Sequence, residues 1–388
     1  MKFIPYGRQN INYSDKLSIY KSLNEDLITS GKSVSSFENK IENILSCKYS
    51  VVCSSGTAAL HLALLSIDLK KNDIVIMPSV NFIAAFNVCN ILGAKIYLTD
   101  VDSFNGQMSP ENLLDCIKTN KLKNIKVVIT SQLGGQPLDI IEFYKIKKRY
   151  NFFLIEDACH SFGAKYYFKN ELINVGSCKH SDIATFSFHP VKSITTGEGG
   201  VVTTNVRSIA DKCRLFRSHG IIRKNKHWEY DVISSGLNYR LSDINCALGI
   251  SQLQRLKKFI KYREGIAKTY LKFFSKISNL VTISNNFSKN LSSWHLFIIS
   301  INFQKLLCNK NDFIKFLLKK NIITQFHYIP IYNFKVFKKK LKKKQIIGAE
   351  NYYRNSISLP IYCGLSKKKI RYILKNIELF FNKYSKNL

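Results

Sequence analysis

The stretch IATFSFHPVKSITTGEGG, residues 183–200, sets an apolar strand against a glycine-rich turn with one lysine between them. Its first six residues are apolar, β-branched or aromatic, with small hydroxyls, which is the composition of a buried strand. Pro190 ends regular pairing because it has no N–H to give. Lys192 follows, then Thr195, Thr196, Gly197, Gly199 and Gly200. Lysine is seldom buried unless it is paired or used chemically. An amine whose surroundings lower its pKa becomes a nucleophile. Lys192 is therefore the first candidate for a reacting group. Ser187, five positions earlier, offers a hydroxyl to a phosphate site. His189 reads as a packed or hydrogen-bonded core histidine.

Upstream of this stretch, strand-like and helix-like segments alternate. YSVVC (49–53), IVIMP (74–78), AKIYLTD (94–100), KVVITS (126–131) and FFLIEDA (152–158) read as strands. TAALHLALLSI (57–67), FIAAFNVCNIL (82–92), residues 111–119 and DIIEFYKIKKRY (139–150) read as helices between them. Short unbroken apolar strands alternating with helices predict a mostly parallel sheet covered on both faces. Downstream, helices are expected over 242–259 and 261–274, then scattered strands and helices such as SWHLFIIS from Ser293 and NDFIKFLLKK from Asn311. The expected division is a large body over 1–255 and a smaller α+β body over 256–388. No internal repeat is visible.

Composition limits the class. The chain has 388 residues, of which 45% are hydrophobic, enough for a large core. No apolar run reaches the length of a membrane span. The opening MKFIPYGRQNINYSD has no secretory apolar stretch. Ten cysteines include no Cys-x-x-Cys pair, which argues against a zinc ribbon or dithiol site and for a reducing, cytoplasmic setting. The net charge of +33, from 59 Lys+Arg against 26 Asp+Glu, raises the question of nucleic acid. The basic residues are spread along the chain, however, with one dense run, FKKKLKKKQ, at 337–345, expected as a helix–loop surface. A solvated basic surface, which also attracts a small anionic substrate, accounts for the charge better.

Three further clusters carry possible chemistry. CSSGTAAL (53–60) ends a strand, turns on Gly56 and opens a helix at Thr57. Amides there can bind phosphate, although the motif also reads as an ordinary serine-capped turn. IEDACHSFGA (155–164) puts Glu156 and Asp157 at the carboxyl end of a strand, with His160 three residues on. Ligands of open α/β sheets bind at such ends, and a carboxylate there can pair with a cationic ring nitrogen. Asp157 could equally open a turn. GLNYRLSD (236–243) places Asn238 and Arg240 ahead of an apolar helix, either as polar ligands or as a helix entry.

Together these clusters resemble the DegT/DnrJ/EryC/StrS-like family of fold-type I pyridoxal-phosphate enzymes, which aminate nucleotide-linked keto-sugars. The resemblance spans the chain from PYGRQ at Pro5 to ISLPIY at 357–362, and SFHPVKSITTGEGG is its most specific part. It implies a seven-stranded-type, mostly parallel sheet with a smaller C-terminal α+β domain. It implies pyridoxal 5'-phosphate as cofactor, carried as an imine on Lys192, which then serves as the proton-transferring base. Asp157 pairs with the pyridine nitrogen, and His160 sits beside Asp157 and the ring hydroxyl. Phe82 lies against the ring face, and Gly56, Thr57 and Ser187 hold the phosphate. Asn238 reaches that phosphate from the second subunit of a homodimer.

Within the family, IPYGRQNI and QFHYIPIY resemble the branch that serves pseudaminic acid biosynthesis. That likeness implies amination of C4 of a UDP-linked 2-acetamido-2,6-dideoxy-4-keto-hexose with L-glutamate as donor. Tyr6, Asp26, Leu27, Ile28, Thr29, Phe326, His327, Tyr328 and Ile329 are the implied sugar-nucleotide contacts. The chain departs from the family pattern at Ser30, where glutamine is frequent, and at Cys159 and Ser161, where serine and alanine are usual. Rival readings keep the fold and change the sugar to a perosamine or aminoarabinose type, or move the amine to C3. A dehydratase of the same fold carries histidine at the imine position, against which Lys192 argues. A basic nucleic-acid-binding protein would have no use for Lys192 beside GEGG.

Overall fold

The computed structural model describes residues 3–223, 226, 228–283, 290–337 and 346–384. Of the basic run at 337–345, all but Phe337 lies outside the described residues. Strands β1 (Tyr49–Cys53), β2 (Ile74–Pro78), β3 (Lys95–Thr99), β4 (Ile125–Ser131) and β5 (Phe153–Asp157) come first. A hairpin, β6 (Lys165–Phe168) and β7 (Glu171–Asn174), precedes β8 (Ile183–Ser187) and β9 (Gly200–Thr204). Apart from the hairpin, these strands form one seven-stranded sheet in the order β1-β9-β8-β5-β4-β2-β3. β9 pairs antiparallel with both neighbours, and the other pairings are parallel.

The strands lack polar alternation because the sheet is covered twice. Val51 packs into one core and Val52 into the other; Val127 and Ile129 face one side, Val128 the opposite. Each such side chain, fully buried, contributes roughly 1.5–3 kcal/mol. Helices α1 (Tyr13–Leu23) and α2 (Lys32–Leu45) precede the sheet. The connections hold α3 (Gly56–Ser66), α4 (Ile83–Ile91), α5 (Pro110–Thr119), α6 (Ile140–Tyr150) and α7 (Arg207–Arg217). α3, α4 and α7 cover one face; α2, α5 and α6 cover the other.

Two short hairpins were not foreseen in the sequence: β6–β7, and β10 (Ile221–Arg223) with β11 (Tyr230–Val232). The first turns on Lys169 and Asn170, with φ of 46° and 66°. Two left-handed residues in a row suit a type I′ turn, but lysine is a weak signal for one.

The expected helices over 242–259 and 261–274 are instead α8 (Asp243–Leu253) and α9 (Leu256–Phe274). The break falls at Arg255, whose guanidinium reaches Asn10 Oδ1 at 3.0 Å and pairs with buried Asp15. Gln252 also donates to Asp15, at 2.9 Å. No glycine or proline marks this break, so the sequence pattern runs through it.

The C-terminal part holds an antiparallel sheet in the order β12 (Val281–Ile283), β13 (Phe297–Ile301), β14 (Ser356–Leu359). Helices α10 (Lys310–Lys319), α11 (Ile347–Asn355) and α12 (Lys367–Tyr384) complete it. α9 joins the two parts: Leu256 and Phe259 pack in a core of the large sheet, whereas Ile266, Tyr270 and Phe274 pack in the C-terminal core. Ile4 also lies in the C-terminal core, bridged to Ile322. Val80, Leu133, Leu296 and Tyr352 form an apolar seam between the sheets. Among the described residues no helix is long and apolar enough to cross a membrane.

Candidate active site

A cavity of about 650 Å³ opens at the carboxyl ends of the parallel strands. Five of these strand ends deliver a side chain or turn to it: Ser55, Gly56 and Thr57 after β1, Asn81 and Phe82 after β2, Ser131 on β4, Asp157 on β5 and Ser187 on β8. This is where an open α/β sheet places ligands. Cys53 and Ser187 both pair with Gly200, which brings the start of α3 beside Ser187. A Cβ on Gly200 would lie 2.3 Å from the Ser55 carbonyl oxygen, and one on Gly56 would lie 2.8 Å from Ser187 Cβ. Only glycine allows so close an approach. The amides of Gly56 and Thr57 belong to the first turn of α3, where the helix offers no acceptor. The cavity therefore has an anion-binding end.

Lys192 lines the same cavity. Its loop is held by Lys192 N–H donating to His189 O at 2.9 Å, Thr196 N–H to Phe188 O at 3.0 Å and Thr195 Oγ1 to Phe188 O at 2.9 Å. Burial lowers the pKa of the Lys192 ammonium, opposed by nearby Cys159 and Asp157. Burial thus shifts this amine toward the neutral form, the one that acts as a nucleophile. His189 is not a core residue, as expected from the sequence, but an exposed one at the cavity lining. The Pro190 turn lifts it off the end of β8.

Strand alternation separates the two adjacent acids of β5. Asp157 is buried in the cavity wall, accepting from Cys159 N–H at 3.3 Å and from Asn81 Nδ2 at 3.4 Å. Glu156 turns the other way, to Ser181 Oγ at 2.6 Å and the Gln132 amide. Burial raises its pKa to about 7. Asn81 is 3% exposed and also accepts from Phe82 N–H at 2.7 Å. The sequence reading missed it: its β2 turn meets Asp157 only through the sheet order, and NFIAA carries no local signal.

His160, also buried, lines the same cavity. Gly134 N–H donates to His160 Nδ1 at 3.3 Å, and the Tyr328 hydroxyl is 3.0 Å from Nε2. The His295 ring is 4.3 Å away, centroid to centroid. Burial, then Lys192 and His327, hold the His160 pKa well below the usual imidazole value. Burial and Lys192 likewise push His327 down to about 3. His327 Nδ1 meets Ser358 Oγ at 2.8 Å, and its ring lies 5.5 Å from Tyr6. Phe82 and Tyr328 rings are 5.6 Å apart. Tyr6, Phe326, His327, Tyr328 and Ile329 all line the cavity with Lys192.

Five of the predicted contacts are not brought to this cavity by the single chain. Asp26, Leu27, Ile28 and Thr29 are exposed, with Thr29 bridged to Ser242. Asn238 is exposed and bridged to Ser218.

The cavity combines an anion-binding helix start, a buried carboxylate and a lysine amine whose pKa is lowered by burial. Comparison with known proteins gives this set a context. Residues 10–378 match the DegT/DnrJ/EryC1/StrS aminotransferase family. The UDP-4-amino-4,6-dideoxy-N-acetyl-beta-L-altrosamine transaminase of Campylobacter jejuni (serotype O:23/36, strain 81-176) is 36% identical over 383 residues, covering 99% of each chain. The GDP-perosamine synthase of Escherichia coli O157:H7 is 33% identical over 385 residues, covering 98% of this chain and 100% of that one. The solved structure of Helicobacter pylori PseC, an aminotransferase of pseudoaminic acid biosynthesis, superposes with a TM-score of 0.90 at 28% identity, over 98% of this chain and 100% of that one. With its fold, its lysine-bearing cavity and 369 consecutive positions (10–378) matched, the chain belongs to the DegT/DnrJ/EryC1/StrS aminotransferase family and is a pyridoxal phosphate-dependent sugar aminotransferase.

Proposed function

We propose that this enzyme transfers the amino group of L-glutamate to C4 of UDP-2-acetamido-2,6-dideoxy-β-L-arabino-hex-4-ulose, the amination step of pseudaminic acid biosynthesis. One observation carries the reading. Tyr6 and residues 326–329, the sequence features tied to that branch, line one cavity with Lys192. The activity named for the Campylobacter relative points the same way.

The residues present fit pyridoxal phosphate. The close-approach cradle at Gly56, with the Thr57 amide and Ser187 Oγ, suits its phosphate. Asp157 suits its ring nitrogen, Phe82 its ring face, and His160 the neighbourhood of its ring hydroxyl. When bound, the cofactor supplies an aldehyde that exchanges amines and a ring that accepts electron density. Lys192 Nζ, its pKa lowered by burial, takes the α-proton of glutamate and delivers a proton at C4 of the sugar. Asp157, kept in a fixed place by Asn81 and the Cys159 amide, holds a proton on the ring nitrogen. The aromatic groups at Tyr6, Phe326 and Tyr328 orient the nucleotide-sugar and exclude water.

A homodimer completes the site in this reading. Asn238 and residues 26–29 sit on the outside of their own chain, where a second copy can present them to the cavity. Tyr13, Tyr20, Leu27 and Ile28 are exposed on and beside α1, an apolar surface suited to burial between copies. All ten cysteines are free thiols, consistent with a cytoplasmic enzyme.

The Escherichia coli relative favours another substrate, through C4 amination of a GDP-linked keto-sugar of the perosamine type. Incubation with glutamate and UDP-, GDP- and dTDP-linked 4-keto-sugars, read by mass spectrometry, decides between them. The proposal expects the UDP-N-acetyl sugar to be aminated fastest. It also expects Tyr6→Ala to slow the sugar half-reaction more than the glutamate half-reaction. Preference for a GDP- or dTDP-sugar would leave the aminotransferase and remove the substrate.

A further inference from the structure

A neutral imidazole has one protonated and one bare nitrogen, and its partners decide which is which. The Gly134 N–H points at His160 Nδ1 at 3.3 Å and can only donate, so Nδ1 must be the bare nitrogen. A proton there, in the other tautomer or in the imidazolium, would face the amide hydrogen head-on. The remaining proton therefore sits on Nε2, which is 3.0 Å from Tyr328 Oη and must donate to it. The phenol oxygen accepts, and its own hydrogen has to point elsewhere. Among the described residues, His160 is the hydrogen-bond partner of the Tyr328 hydroxyl. Tyr328 lines the cavity, with Phe82 across from it at 5.6 Å between ring centroids.

We infer that the Gly134–His160 contact sets Tyr328 as a directed hydrogen-bond donor to the ketone oxygen of the amine acceptor. His160 is then a positioning residue and Tyr328 a catalytic one. As an amine attacks the carbonyl carbon, the C=O π pair moves onto oxygen. A donor already aimed at that oxygen stabilises the developing charge without reorganising. Burial raises the Tyr328 pKa well above the usual phenol value, so the group keeps its proton and acts as a donor rather than a base. His295, its ring tilted at 45° to that of His160 and its pKa also held down by burial, adds no proton to this chain of contacts.

The inference rests on the reading that the enzyme aminates a ketone, and its test separates the two. In cofactor-free protein with ¹⁵N-labelled histidine, the His160 signals, assigned with His160→Gln, are expected to show protonated Nε2 and bare Nδ1 through the neutral pH range. Protonated Nδ1, or averaging between tautomers, would overturn the inference whatever the substrate. In loaded enzyme, Tyr328→Phe is expected to slow the sugar half-reaction by about 10²–10³-fold, far more than the glutamate half-reaction. Fluorotyrosine at position 328 should keep the sugar step and make its rate follow phenol acidity. Equal slowing of both half-reactions, with a shift in cofactor absorbance, would assign the donor to the cofactor's ring oxygen and overturn it. A wild-type protein that aminates no keto-sugar would sink the substrate reading and leave the nuclear-resonance result standing.

Discussion

Arg263 Nη1 donates to the Ile361 carbonyl at 2.9 Å from a guanidinium that is 2% exposed. The same group reaches the carbonyls of Trp294, His295, Val191 and Lys192 at 3.2–3.5 Å. One side chain on α9 thus ties the lysine loop to two segments of the C-terminal part. Hydrogen bonds to a charged group are worth ~1.5–3 kcal/mol each, and several share one cation here. Arg263→Met is expected to lower stability by about 3 kcal/mol in urea unfolding, with Arg263→Lys recovering part of it. A change within about 0.5 kcal/mol for the methionine variant would show that the carbonyls are satisfied without it.

Lys192 carries a cost in the cofactor-free protein. Its folded pKa lies below the ordinary 10.5 because of burial, so the unfolded chain binds its proton more firmly. Stability therefore rises with pH through that window, and the penalty is fully present below the folded value. Cofactor-free Lys192→Met should unfold at a higher urea midpoint than wild type at neutral pH, while losing all turnover. In the loaded wild type, borohydride should fix a pyridoxyl group on Lys192, read by peptide mass. An adduct on another lysine would refute the assignment.

Asp157 and Asn81 should separate by degree. Asp157→Asn keeps a similar volume but cannot hold a ring nitrogen protonated. We expect it to fold normally and lose roughly 10²–10³-fold in kcat. Asn81→Ala removes one hydrogen bond to Asp157, at 3.4 Å, and should cost about tenfold. Equal losses would mean that Asn81 has a role of its own at the substrate.

Glu156 should set part of the acid–base stability profile. Its pKa rises from 4.5 to about 7 on folding, chiefly through burial. The folded state then binds the proton more tightly, so this stabilisation is present below pH 4.5 and is lost as pH rises through about 7. The swing is roughly 3 kcal/mol at most. Glu156→Gln should flatten the urea-stability profile across that range. An unchanged slope would place the titration elsewhere.

How much of this was legible in the sequence depends on how local each signal is. Lys192, Ser187, Gly56 and Asp157 stand at strand ends, and strand, turn and helix are all readable within a dozen residues. The doubly covered sheet was legible because Val51 and Val52 are both apolar. Asn81 and Arg263 were not legible. Asn81 meets Asp157 across the order β5-β4-β2, and Arg263 has the sequence setting of any cation on an amphipathic helix. The α8–α9 break was hidden because Arg255 is turned by contacts with Asn10 and Asp15, more than two hundred residues away in sequence. His189 was misread because its neighbours in sequence are core and its neighbours in space are the cavity.

The bridge between Ile4 and Ile322, with the Ile361 N–H donating to Tyr6 O at 3.0 Å, has a bearing on how the protein is made. Translation proceeds at about 5–20 residues per second, so Ile4 and Tyr6 leave the ribosome tens of seconds before their partners Ile322 and Ile361. The large sheet can assemble in that interval, yet Tyr6 has nowhere to dock. A nascent chain stopped short of Ile322 would own the lysine loop and the β5 carboxylate but neither the partner of Ile4 nor the cavity wall at residues 326–329. Synthesis therefore delivers the lysine loop and its neighbouring carboxylate early and the opposite wall of the cavity last, so the cavity closes only after the C-terminal part has been made.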